Sequence, residues 1–134
     1  MEEERRRELE HKVALFKLLQ DRSEVLRRHQ ELLLQKISEV QQTILSLEEL
    51  EKAEKLVFSL SPEAKVFGKI VDRDKILVDV GAGIVLEKTR EEAKQILEKR
   101  RAELEKALSD ASREMQSVAA TLQSLVPEIQ KLAR

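Results

Sequence analysis

What most constrains this chain is where its helix breakers stand. From Glu2 to about Lys55 there is no glycine and no proline, and from about Thr89 onward the one breaker is Pro127. All three glycines and Pro62 fall in the 33 residues between. The chain therefore divides into 1–55, 56–88 and 89–134, three parts of one elongated unit. Both flanks carry the seven-residue repeat that lets two helices bury a shared seam. In the first flank, Leu9, Phe16, Ser23, Gln30, Ile37, Ile44 and Glu51 occupy one seam position. Lys12, Leu19, Leu26, Leu33, Val40 and Leu47 occupy the other. The seam is strong from Leu33 to Leu47, and Ser23 and Gln30 weaken it toward the N-terminus. Acid-first pairs four residues apart, such as Glu8–Lys12 and Glu24–Arg28, add weak local support.

The second flank opens with Thr89-Arg90-Glu91-Glu92, a capping box: the Thr89 hydroxyl can accept from the Glu92 N–H while the Glu92 side chain reaches back. Its seam runs Leu97, Leu104, Ala111, Val118, Leu125, Leu132 at one position and Arg101, Leu108, Met115, Leu122, Ile129 at the other. Arg101 alone among these is polar, so the heptad signal is strong. Pro127 lacks an N–H and predicts a kink or fraying. At 1.5 Å per residue, about 45 residues make a rod of roughly 65–70 Å. Two rods of similar length joined by a short insert predict an antiparallel coiled coil, with the chain termini together at the far tip.

Between the flanks, period-two alternation replaces the heptad. Leu56, Phe58 and Leu60 alternate before the turn Ser61-Pro62-Glu63. A strand over Val66–Val71 and the polar turn Asp72-Arg73-Asp74 follow. Ile76, Val78 and Val80 alternate next, and Gly81-Ala82-Gly83 turns the chain into Ile84-Val85-Leu86. The fold class is thus α+β, mostly α: a long two-helix coiled coil joined by two consecutive β-hairpins.

Composition excludes several functions. Aromatics are 2% of the chain, against the larger share a compact core uses, and charged residues are 38% against about 25% in ordinary domains. Both fit a narrow coiled-coil core. Lys and Arg number 25 and Asp and Glu 26, a balance that argues against coating nucleic acid or an anionic membrane. No run of 18 apolar residues is present, so no transmembrane helix is expected. Met1-Glu2-Glu3-Glu4-Arg5-Arg6-Arg7 has no apolar core behind it and does not read as a secretory signal, which makes the cytosol the default address. There is no cysteine, which removes thiolate metal sites and cysteine nucleophiles. Asparagine is also absent, beside many Glu, Lys and Arg, a thermophile-like composition.

Catalytic and cofactor signals are weak. Gly81-Ala82-Gly83 lacks the third glycine and following helix of a dinucleotide loop, since position 86 is leucine in a strand-like run. His11 and His29 stand 18 residues apart on one helix, too far to converge on a metal. The carboxylates alternate with cations on solvated faces, and no phosphate loop or nucleophile motif is present. An enzyme is not expected, and no cofactor.

Two features call for partners. Four short strands with one apolar face are marginal alone. The row Leu56, Phe58, Leu60, Val66, Ile70, Ile76, Val78, Val80, Ile84, Leu86 needs a second sheet, since the helices leave from one end. Oligomerisation through these residues into a shared β platform is the expectation; the alternative is an insert folded back onto the coiled coil. At the far tip, Val13, Leu15 and Leu18 are apolar but off the seam, and Val25, Leu32 and Leu34 extend the excess. Ala119, Ala120 and Val126 widen the stripe around Leu122, Leu125 and Ile129. Each large apolar residue left wet forgoes ~1.5–3 kcal/mol. Such a stripe needs either a partner or one more permanently packed helix.

The order long helix, two hairpins, long helix resembles prefoldin of the alpha class, the subunit type with two hairpins. Asp72-Arg73-Asp74-Lys75-Ile76-Leu77-Val78-Asp79-Val80-Gly81-Ala82-Gly83-Ile84-Val85-Leu86-Glu87-Lys88-Thr89 is similar to the stretch around the family's second hairpin, and Glu91-Glu92-Ala93 continues it. The architecture is shared over the whole chain, the specific similarity over about 50–97. The first hairpin departs, with Ser59-Leu60-Ser61-Pro62-Glu63-Ala64 where the family often has a glycine-containing turn. The resemblance implies a hexamer of two alpha and four beta-type subunits, with a β platform and six coiled-coil arms. It also implies an ATP-independent holdase that grips unfolded polypeptides at the arm tips and passes them to a group II chaperonin in the cytoplasm. Val13, Leu15, Phe16, Leu18, Leu122, Leu125, Val126 and Ile129 would then be client-binding. The alternatives are an alpha-related, filament-forming paralogue that self-assembles, or a coiled-coil scaffold.

Overall fold

The computed structural model describes all 134 residues. Helix α1 spans Glu2–Leu50 and helix α2 Arg90–Ala133. Between them lie β1 (Leu56–Ser61), β2 (Ala64–Gly68), β3 (Ile76–Gly81) and β4 (Ile84–Lys88). Pairing is β1 with β2 and β3 with β4, giving two separate two-stranded antiparallel sheets. The chain forms two compact units, one of Met1–Lys36 with Leu104–Arg134 and one of Ile37–Glu103.

In the first unit α1 and α2 run antiparallel. Lys12 Nζ lies 2.9 Å from a Glu128 carboxylate oxygen and Arg22 2.7 Å from Glu114. Leu26, Leu33, Ala111, Val118 and Leu125 are buried, each at a seam position of the heptad. The weak seam layers are not wasted: Gln30 Nε2 donates to Ser112 Oγ at 3.1 Å and Ser23 Oγ to Met115 Sδ at 3.4 Å. Part-buried polar groups with partners cost little and favour one register over its slipped neighbours. Pro127 does not end α2, which continues to Ala133. The fraying expected there is absent. A proline removes a single intrahelical donor, and the residues after it are tied to α1. Besides Lys12–Glu128, Arg5 Nε donates to the Leu132 carbonyl at 3.0 Å and Nη2 to that of Lys131 at 3.3 Å.

In the second unit α1 ends at Leu50, five residues before the boundary the sequence suggests at 55. The chain tightens, with the Lys52 N–H donating to the Glu49 carbonyl at 3.0 Å. The last turn has no basic residue of its own. Arg73 supplies that charge from between the hairpins, donating to the carbonyls of Glu51 (3.0 Å) and Ala53. At the start of α2 the capping box forms: the Thr89 N–H donates to the Glu92 carboxylate at 3.1 Å and the Glu92 N–H to Thr89 Oγ at 3.2 Å. Losing the Thr89 hydroxyl would cost about 1 kcal/mol.

The hairpins turn by different chemistry. In the first, Ser61 pairs with Ala64, so the loop is Pro62-Glu63. No residue there has positive φ. Proline fixes an ordinary turn, which splays strands unless compensated. A bulge between Ser59 and Ser61 compensates, and Ser61 Oγ accepts the Glu63 N–H at 3.2 Å. The Phe58 ring lies against Gly68, where a Cβ would stand 2.8 Å from it. In the second hairpin the loop is Ala82-Gly83, both left-handed at φ 53° and 75°. That mirror-image turn matches strand twist but strains alanine. Ala82→Asn is therefore expected to stabilise the protein by roughly 0.5–1 kcal/mol, read as a rise in Tm. An unchanged or lower Tm would contradict this reading of the turn.

The insert differs from expectation in one respect: it does have a helix surface to pack on. Val78 is buried with Ile44, Leu47, Ala93 and Leu97, and Ile76 packs at the edge of that cluster. Alternation puts Ile76 and Val78 on the same face of β3. Ala93, fully enclosed, is small enough to let the strand approach α2. Val78 is thus core rather than free platform surface. The first hairpin has no such support, and Phe58, Leu60 and Val66 remain exposed. Val80, Ile84 and Leu86 are exposed as well, while Leu56 and Ile70 are half-buried.

Candidate functional site

The shifted titratable groups are solvated surface partners rather than a catalytic set. The Thr89 N–H and hydroxyl hold the Glu92 carboxyl below the usual carboxylate range. Arg22 does the same to Glu114, and Arg27 to Glu24. Glu128 and Glu8 hold the Lys12 ammonium in its charged form. No three His, Cys, Asp or Glu side chains stand together in a way that could hold a metal. No helix is long and apolar enough to cross a membrane.

A depressed carboxyl stabilises the fold only while ionised. That contribution is present above about pH 4.3, where the unfolded group titrates, and is lost as pH falls through the lower folded value. The Tm should therefore drop on acidification below about pH 4, with Glu114→Gln showing a shallower drop. Equal slopes in the two proteins would exclude the Arg22–Glu114 pair as a source.

The arrangement with the clearest binding chemistry is a groove in the first unit. It encloses about 340 Å³ between Val13, Phe16, Lys17 and Gln20 of α1 and Val126, Ile129 and Gln130 of α2. Its floor is apolar and its rim is an ammonium and two amides. Phe16 and Ile129 are seam residues whose outer sides remain uncovered; Val126 is 42% exposed. The groove exists because both helices carry an apolar residue just off the seam, on the same side. At the adjacent seam position Lys12 keeps its stem between the helices and its ammonium on Glu128. A larger hollow, about 590 Å³, lies beyond Leu9 and Leu132, but Glu2, Glu3, Arg5 and Arg6 line it.

The candidate tip residues do not all meet here. Val13, Phe16, Val126 and Ile129 converge on the groove. Leu125 is buried in the seam at 5% exposure and offers no surface, and Leu122 is half-buried. Leu15 and Leu18 lie around the far side of α1, at about 100° per residue, with Leu18 66% exposed. The rim residues Lys17, Gln20 and Gln130 were not singled out by sequence reasoning. Their signal is spacing: Lys17 and Gln20 follow Phe16 by one and four positions, and Gln130 follows Val126 by four.

A family model for the prefoldin subunit matches residues 19–134. This chain belongs to the prefoldin family. It is 30% identical over 132 residues to prefoldin subunit alpha of Pyrococcus horikoshii, covering 96% of this chain and 86% of that one. It is 36% identical over 88 residues to prefoldin subunit alpha of Methanococcoides burtonii, covering 63% of this chain and 64% of that one, just under two thirds of its length. In structure it is similar to a chain of the filamentous PFD from Methanocaldococcus jannaschii, with a TM-score of 0.73 at 22% identity over 84% of this chain and 96% of that one. The prefoldin fold accounts for the two long helices and the two small antiparallel strand pairs. Prefoldin is a chaperone family whose subunits assemble with one another, which agrees with an apolar groove and exposed hairpins.

Proposed function

We propose that this chain is the alpha-type subunit of a prefoldin that holds non-native polypeptide without ATP and passes it to a group II chaperonin. The observation that carries this is the groove: an apolar floor that no part of this chain covers. An unfolded chain offers apolar side chains in no fixed order, and a shallow apolar trough with a flexible polar rim suits them. One groove buries little, so grip comes from several arms at once, where multivalency adds ~10²–10⁴ in avidity. Weak separate grips also let go one at a time, which explains release without nucleotide.

The hairpin region 56–88 would be the assembly part, and the flanks 1–55 and 89–134 the arms. Leu56, Phe58, Leu60, Val66, Ile70, Val80, Ile84 and Leu86 would meet the sheets of neighbouring subunits. The proposed assembly is two alpha with four beta-type subunits, in the cytoplasm of a heat-adapted cell. A second reading, a filament or scaffold subunit that self-assembles through the hairpins, draws support from the likeness to the filamentous PFD.

Suppression of client aggregation by the full-length assembly separates the two, and deleting residues 1–15 and 123–134 tests where the grip lies. Under the holdase reading the truncated protein assembles with a beta-type partner to the same stoichiometry but no longer suppresses aggregation of a denatured client. If it still suppresses, the arm ends are not the grip.

A further inference from the structure

We propose that a second heptad seam on α1, running from Leu15 to Leu32, pairs antiparallel with the same seam of a second copy of this chain. The reading is independent of client binding. Leu15, Leu18, Arg22, Val25, His29 and Leu32 step by 3, 4, 3, 4 and 3 residues. None belongs to the seam that packs α2. Leu18, Val25 and Leu32 are 66%, 51% and 49% exposed. At about 100° per residue they share one side of α1, turned away from Val13, Phe16 and Gln20 of the groove. An unfolded chain has no period and calls for none, whereas a helix calls for this one.

Charge decides which helix, and in which direction. A parallel pair of copies would stack Arg22 on Arg22, His29 on His29, and Asp21 on Asp21. Antiparallel pairing about a two-fold axis sets Leu15 against Leu32, Leu18 against His29 and Arg22 against Val25. Every polar core position then meets an apolar one. Arg22 already has its charge satisfied by Glu114, so its stem is free to cover Val25 of the other copy. The flanking Asp21 of each copy comes opposite Arg28 of the other, twice over. A stripe that is self-complementary in shape and charge fits an isologous contact. Its few apolar residues make it weak between free copies. Arms of one β platform run the same way, so the contact joins copies in two facing assemblies, where several such pairs forming at once add avidity.

The chain has no cysteine, so directed cross-linking is clean. Full-length Leu15→Cys and Leu32→Cys are mixed in equal amounts and oxidised. The proposal predicts the mixed dimer well above its statistical share over the two homodimers. Leu34→Cys, 55% exposed and on the other side of α1, sets the background. Asp21→Arg placed in both proteins should cut the mixed dimer about fivefold, and adding Arg28→Asp should restore it. Predominant homodimers, or yields no higher than Leu34→Cys, overturn the proposal. So does indifference to the charge swap. Thiol labelling at 15 and 32 blocked only by a reduced, unfolded polypeptide would assign the stripe to clients and overturn it equally.

Discussion

Replacing Val78 with aspartate is expected to release the second hairpin from the helices. Val78 is 6% exposed and enclosed by Ile44, Leu47, Ala93 and Leu97. None of these offers a donor. An unpaired carboxylate there costs several kcal/mol, against a total stability of about 5–15 kcal/mol for a domain. The strand escapes that cost by undocking, because β3 and β4 pair only with each other. Amide exchange over 76–88 should lose its protection, while the helical signal falls little. Phe58→Asp is the contrast. Phe58 is 45% exposed and outside that cluster, so the isolated subunit should lose far less stability than with Val78→Asp, and the effect should appear in assembly. If Val78→Asp and Phe58→Asp destabilise the subunit equally, the two hairpins are not supported differently.

The second large effect concerns holding. Val13→Ser with Val126→Ser removes two of the four apolar walls of the groove and leaves Phe16 and Ile129 in the seam. Each loss is worth roughly 1 kcal/mol of client contact. Two losses weaken one grip by about tenfold or more. Because several grips act together, the loss compounds across arms. Folding should be nearly untouched, since Val126 is on the surface and Val13 at its edge. Holding should fall far more than stability, and that divergence distinguishes a binding defect from a folding one.

Much of this molecule was legible in the residues. The two heptads identified Leu26, Leu33, Ile37, Ile44 and Leu47 of α1, and Leu97, Ala111, Val118 and Leu125 of α2, as the positions that are buried. Thr89 and Glu92 announced the cap that forms between them. Gly81 and Gly83 stand at the second hairpin's turn because the backbone there has positive φ. Less legible was whatever depends on partners distant in sequence. The end of α1 is fixed by Arg73, some twenty residues away, for which no local stop signal exists. Alternation showed which face Val78 is on, but not that Ala93 leaves room for it. The apolar excess around Val13 and Val126 was visible as a surplus. Its division into a groove on one side and the Leu18–Val25–Leu32 stripe on the other needed the geometry of the helix pair.

The central claim is that the groove holds unfolded chains without nucleotide. The direct measurement is light scattering from a denatured client, in the absence of ATP, with this chain assembled with a beta-type partner. The account predicts suppression near one assembly per client, and its loss when Val13→Ser and Val126→Ser are introduced into an assembly of unchanged size. Suppression that survives both substitutions at full strength, or that requires ATP, would contradict it.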